Sequence, residues 1–147
     1  MRAVVQRVSR ASVTVDDKVV GQCGVGLLVL VAAHRDDTEA NAAKMADRVA
    51  KLRIFNDADG KMNLALGDLD PVGSVLAVSN FTVYGETAKN RRPSFIESAP
   101  YERGEEFYGA FVAALKGLGI QVETGEFGAH MEVDLVNDGP VTVILDT

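Results

Sequence analysis

Residues able to do chemistry are few in this sequence, and they are scattered. There are two histidines, His34 and His130, and one cysteine, Cys23. Neither histidine has a Cys or a second His beside it, so no metal-ligand spacing is present. The sequence therefore predicts neither a metal nor a cofactor. His34 ends an apolar run and His130 follows Gly128-Ala129; both read as ordinary structural histidines. Cys23 reads as a small, semi-buried side chain in the turn between two strands. There is no Gly-x-Ser-x-Gly elbow, phosphate loop or dinucleotide fingerprint, and Gly21-x-x-Gly24-x-Gly26 has its spacings in the wrong order for the last. Any catalysis must then rest on an easy reaction, positioning and backbone electrostatics. Hydrolysis of an activated ester meets that condition, because it needs only a placed water and donors for the oxyanion.

Three stretches are candidates for such a site. In Ser79-Asn80-Phe81-Thr82, three polar side chains bracket an aromatic where an apolar strand ends. A strand end leaves N–H groups free to face an oxyanion, although Ser and Thr there also serve plain turn hydrogen bonds. In Asn137-Asp138-Gly139-Pro140, the Asp-Gly pair between apolar runs predicts a hairpin, and turn chemistry alone accounts for every residue. The third stretch, Lys89-Asn90-Arg91-Arg92, carries three cations in four positions. It reads either as a phosphate clamp or as a solvated loop.

The elements that must position these stretches follow from periodicity. Arg2 to Val8 is β-rich, Ser12 to Asp16 alternates, Asp16-Asp17 turns, and Lys18 to Gln22 returns as a hairpin partner. Gly24 to Ala33 reads as a strand buried on both faces. Asp36 with Glu39 predicts a helix start, and Ala42, Met45, Ala46, Val49 and Leu52 give that helix one apolar face. Asn56 to Gly60 is a turn cluster, and Ser74 to Asn80 is another apolar strand. Pro100 opens a second helix with Phe107, Phe111, Leu115 and Leu118 on its buried face, and Gly117 and Gly119 end it. Ile120 to Glu123, Met131 to Val136 and Val141 to Leu145 complete the strands. The expected fold is a single α+β domain over 1–147, mostly strands with two main helices. Strands apolar on both faces must be covered by helices or by a second subunit, which is a first indication of a dimer.

Composition limits the partners. The 147 residues carry 15 Lys and Arg against 21 Asp and Glu, a net charge of −6. Non-specific nucleic-acid binding runs on cations neutralising phosphates. An acidic chain does not coat RNA or DNA, but it can still grip one end of an RNA through a small basic patch. No apolar run approaches the ~20 residues of a membrane helix. No signal sequence opens the chain and only one cysteine is present, so a cytoplasmic location is the default expectation.

The same stretches occur in the order seen in the D-aminoacyl-tRNA deacylases. The resemblance begins with Gln6-Arg7-Val8-Ser9-Arg10-Ala11-Ser12-Val13 and Gly26-Leu27-Leu28-Val29-Leu30. It continues through Arg53-Ile54-Phe55, Asp57 and Gly60-Lys61-Met62-Asn63-Leu64. It closes with Ser79 to Thr82, Arg92-Pro93-Ser94-Phe95 and Asn137-Asp138-Gly139-Pro140-Val141-Thr142. It implies a mostly antiparallel, barrel-like sheet and a homodimer with the site at the subunit interface and the aminoacylated tRNA 3′ end as ligand, with no DNA and no membrane partner. By correspondence Thr82, Phe81 and Ser79 are catalytic, and Asn80, Gly139, Pro140, Arg7, Met62 and Asn63 bind substrate. Gly139-Pro140 corresponds to a cis pair that reaches into the other subunit's pocket and rejects L-amino acids, with Arg7 bracing it. Glycine, having no side chain to reject, is then also a substrate. Lys89, Arg91 and Arg92 are the implied tRNA contacts. One departure is Asn80, where the family usually has Gln. Two other readings compete: a hydrolase of small activated esters that ignores RNA, and a non-catalytic dimeric binding module.

Overall fold

One long strand organises the sheet. In the computed structural model, which describes residues 1–88 and 91–147, β1 (Arg2–Val15) is paired along both of its edges. On one edge its first half pairs antiparallel with β3 (Gly26–Ala32) and its second half with β2 (Lys18–Cys23). The β1–β2 turn puts Asp16 and Asp17 at positive φ, a conformation that Asp tolerates. Next to β3 come β6 (Ser74–Ser79) and then β7 (Gln121–Thr124), both added in parallel. The sheet nearly closes on itself where β2 meets β7. A Cβ on Gly21 would lie 2.3 Å from the Thr124 carbonyl oxygen, and the Gln22 N–H donates to the Glu123 carboxylate at 2.7 Å. A small ribbon, β4 (Phe55–Asn56) with β5 (Met62–Leu64), lies apart.

The other edge of β1 carries the largest departure from the sequence expectation. Instead of a hairpin at Asn137 to Pro140, β8 runs unbroken from Glu132 to Asp146. Both of its halves pair antiparallel with β1. Gln6 faces Thr142 but Val8 faces Asn137, so the residues between are extruded as a wide bulge. The local Asp-Gly turn signal is overridden because both flanks find the same long partner.

The sheet is apolar on both faces, as the continuous hydrophobic runs predict. One face packs Ala3, Val5, Leu27, Val29, Val75 and Ala77 against Met45, Ala46 and Val49 of α1 (Glu39–Ala50) and Phe107, Phe111 and Leu115 of α2 (Tyr101–Gly117). The other face folds inward around Val8, Val13, Leu28, Leu76 and Val78.

Helix ends differ in detail from the expectation. Thr38, not Asp36, is the N-cap of α1, and Asn41 Oδ1 accepts from the Thr38 N–H at 3.0 Å and from its hydroxyl at 2.9 Å. The neighbouring Asp37 carboxylate is already engaged by the Met1 ammonium at 2.7 Å and the His34 N–H at 2.6 Å. Pro100 sits at the N-cap of α2 rather than inside its first turn. Leu118 lies past the end of α2 and is exposed, because Gly119 at φ +82 turns the chain away from the core. Cys23 is the last residue of β2 and is buried, not part of a turn. Among the described residues, no helix is long and apolar enough to cross a membrane.

Candidate active site

β6 leaves the sheet at Ser79 and the chain folds at once into a short 3-10 turn, Phe81–Tyr84. Asn80 makes that turn possible. Its Oδ1 accepts from the Thr82 N–H at 3.2 Å, the side-chain-to-backbone bond that favours Asn at such positions. The same oxygen accepts from the Thr82 hydroxyl at 2.5 Å. Asn80 N–H meanwhile donates to Val31 O at 2.9 Å and ties the turn to β3. Among the described residues, none accepts from the Phe81 N–H.

Ser79, Asn80, Phe81 and Thr82 line one end of a cavity of about 740 Å³ on the inward sheet face. Its floor is apolar, formed by Leu28, Leu30, Val78, Val133 and Leu135. Polar groups gather at the turn and at Gln6 and His130. Phe81 is largely exposed and meets Phe95 edge-on at 5.1 Å. The far wall is aromatic: Phe127 stands edge-on to Tyr101 at 5.1 Å and tilted against Tyr108 at 5.8 Å. Tyr108 donates to the Ala77 carbonyl at 2.9 Å, and burial pushes its phenol up to about 12, so it is a neutral donor near pH 7. Sequence reasoning missed this wall. Tyr101, Tyr108, Phe127 and Met131 look like ordinary core residues in one dimension, and His130, read as structural, lines the cavity and is exposed. The signal available was Phe127-Gly128-Ala129, an aromatic followed by small residues at the entry to a strand.

Gly139 and Pro140 lie elsewhere on the same chain. They crown the β8 bulge, exposed, with a cis peptide bond between them. Behind them stands Arg7, one of two buried charged or polar residues among the described residues. Its Nε donates to the Asp138 carbonyl at 2.9 Å, and Nη1 donates to Ile54 O at 2.6 Å and to Asn56 Oδ1 at 3.2 Å. Asn137 closes the bulge from inside: its Oδ1 accepts from Val141 N–H at 2.7 Å, and its Nδ2 donates to Val141 O at 3.1 Å. Met62 and Asn63 lie on β5 of the small ribbon, whose other strand supplies Asn56 to Arg7. Met62 is exposed, and Asn63 is held by the Arg53 guanidinium, which donates to both its carbonyl and its amide oxygen. The residues named from sequence thus form two clusters. Ser79 to Thr82 sit at the cavity, whereas Arg7, Met62, Asn63, Gly139 and Pro140 sit at or near the bulge and do not line that cavity.

Arg91 and Arg92 are exposed on the loop after the 3-10 turn, and Lys89 lies outside the described residues. His34 does not line that cavity. Its Nε2 bonds the Glu97 carboxylate at 2.8 Å, which holds that carboxyl below the usual carboxylate range, with Arg35 adding to the effect.

The D-Tyr-tRNA(Tyr) deacylase family profile matches residues 4–146. The D-aminoacyl-tRNA deacylase of Thermotoga petrophila is 54% identical over 147 residues, all of this chain and 97% of the relative. The D-aminoacyl-tRNA deacylase of Symbiobacterium thermophilum is 53% identical over the same length, 96% of that relative. A solved structure described as a c-Myc DNA unwinding element binding protein superposes with a TM-score of 0.91 at 36% identity, covering 100% of this chain and 99% of the other. On the family match across nearly its whole length, and on relatives this similar, the chain belongs to the D-Tyr-tRNA(Tyr) deacylase family.

Proposed function

We propose that this chain is a D-aminoacyl-tRNA deacylase, acting as one domain over 1–147, that hydrolyses the ester between a D-amino acid, or glycine, and the 3′-terminal adenosine of tRNA. The observation that carries this reading is the Ser79–Thr82 turn at the mouth of an apolar cavity, in a chain whose length matches that family throughout. Water attacks the ester carbonyl, the Phe81 N–H and then the Thr82 N–H receive the oxyanion, and the ribose 3′-oxygen leaves with a proton. The Thr82 hydroxyl points its proton at an amide oxygen, which is no base. Thr82 is therefore a pocket residue, and water assisted by the ribose 2′-hydroxyl is the nucleophile.

In this reading two copies pack so that the Gly139-Pro140 bulge of one faces the cavity of the other, bringing Met62 and Asn63 with it. This accounts for the separation of the two clusters on a single chain. It also covers a sheet face on which Ile144 is 63% and Val136 39% exposed. The backbone of Gly139 and Pro140 then occupies the space an L side chain needs. Arg91, Arg92 and Lys89 supply the few phosphate contacts that a protein gripping one RNA end requires. The solved relative described as binding a DNA unwinding element raises DNA as a ligand, but a net charge of −6 does not provide the cationic footprint. This reading places the chain in the cytoplasm, with its tRNA substrate.

The test is hydrolysis of matched D- and L-tyrosyl-tRNA by the wild type and by Pro140→Ala. The expected result is fast release from the D-ester with the L-ester spared, and erosion of that discrimination in the variant. If neither ester is cleaved faster than in buffer, the reading fails. If small D-tyrosine esters compete equally with the tRNA substrate, RNA is not part of recognition.

A further inference from the structure

The peptide unit between Phe81 and Thr82 is held from both ends. Its N–H, on Thr82, meets Asn80 Oδ1 at 3.2 Å. Its carbonyl, on Phe81, accepts from the Ser98 hydroxyl at 2.9 Å. Ser98 is remote in sequence and belongs to a strap that is itself fixed. Arg35 N–H donates to Glu97 O at 3.0 Å, Ala99 N–H to Ala33 O at 2.9 Å, and Ser98 N–H to Phe95 O at 3.0 Å. The His34–Glu97 contact at 2.8 Å anchors the strap by a side chain as well.

We infer that Ser98 is a positioning residue for catalysis: through the Phe81 carbonyl it orients and polarises the Thr82 N–H that receives the oxyanion. The inference rests on the deacylase reading. Two physical effects combine. A donor on a peptide oxygen favours the resonance form with positive nitrogen, so the N–H of the same unit becomes a better donor. The bond also fixes the plane of the peptide, so the donor needs no reorientation as charge develops. The bond on the N–H side is long and goes to a neutral amide oxygen, which a charged oxyanion displaces. Ser98 touches no substrate atom in this scheme. Its carbon framework can be kept while the hydroxyl is removed, and a threonine offers the same hydroxyl.

The experiment is steady-state kinetics on D-tyrosyl-tRNA for wild type, Ser98→Ala and Ser98→Thr, with amide NMR of the free proteins. Expected is a kcat about five- to tenfold lower in Ser98→Ala with KM unchanged, the size of one neutral hydrogen bond, and restoration in Ser98→Thr. The Thr82 amide nitrogen resonance should move to lower frequency in Ser98→Ala and return in Ser98→Thr. Wild-type kcat in Ser98→Ala, a change confined to KM, or an unmoved Thr82 resonance each overturns the inference. If the wild type itself does not turn over, the deacylase reading falls and takes the catalytic role with it. Turnover in the wild type with an unaffected alanine variant defeats the Ser98 role alone.

Discussion

Arg7 Nε donates to the carbonyl of Asp138 at 2.9 Å, joining two positions 131 residues apart in sequence. The side chain is only 9% exposed, and its Nη1 donates to Ile54 O and Asn56 Oδ1. Removing it strands two carbonyls and releases the floor of the bulge. Arg7→Ala should cost about 3 kcal/mol in urea unfolding, and Arg7→Lys nearly as much, since an ammonium cannot reproduce the fork. Both variants should also lose discrimination between D- and L-tyrosyl-tRNA. A loss below about 0.5 kcal/mol, of the order of an exposed ion pair, would show that Asp138 is not held by this residue.

Gly26 is required by close approach rather than by flexibility. It pairs with Ser74 at the start of the parallel β3–β6 ladder, and a Cβ there would lie 1.9 Å from the Ser74 carbonyl oxygen. Backbone, not a flexible side chain, is in the way. Gly26→Ala should therefore destabilise by about 1–3 kcal/mol, read as a lower urea midpoint at unchanged slope. Gly24, two residues earlier, has nothing within 4 Å of its Cβ position. Gly24→Ala is the matched control and should be nearly neutral.

These two sites show where sequence was sufficient and where it was not. The strands β1 to β3, the two helices and β6 follow from period-2 runs, from apolar spacing at 3.6 residues and from turn residues, because each pattern is local. The β8 bulge is not local. Asp138-Gly139 carries a strong hairpin signal, and only the length of β1, paired at both ends, keeps the chain extended. The α1 cap moved from Asp36 to Thr38 for a similar reason, since long-range ties to Met1 and a tie to His34 occupy the adjacent Asp37. Of the site, the Ser79–Thr82 turn was legible as polar residues at a strand end. The aromatic wall from Tyr101 to Phe127 was not, because α2 and the segment before β8 approach only in three dimensions. The Ser98–Phe81 bond likewise leaves no trace in residue type or spacing.

Two tyrosines give the protein a predictable alkaline limb. Burial pushes the phenols of Tyr84 and Tyr108 up to about 12 from the usual 10. Between those values the unfolded chain has released its phenolic protons and the folded chain retains them. The unfolded state then binds fewer protons, so stability falls as pH rises. The contribution is complete below about pH 10 and is lost as pH climbs towards 12. Ultraviolet titration should show two phenols ionising only near pH 12. If these two phenols ionise near 10 instead, Tyr108 is not buried against Ala77.

The role of Thr82 separates the two chemical routes to ester hydrolysis. Its hydroxyl donates to Asn80 Oδ1, and among the described residues no His, Lys or carboxylate contacts it in this structure. An alkoxide cannot be generated there without moving the side chain. Thr82→Val keeps the shape and deletes the oxygen. With water as nucleophile, kcat on D-tyrosyl-tRNA should stay within about tenfold of wild type, since only local polarity changes. With Thr82 as nucleophile, the loss should reach about 10⁴-fold or more, and acid quenching during wild-type turnover should trap an acyl-enzyme. Asn80→Ala should report on the scaffold instead, lowering stability by about 1 kcal/mol through loss of the cap. A rate loss in Thr82→Val as large as that of a missing nucleophile, with the fold intact, would return the hydroxyl to the reaction and displace the water.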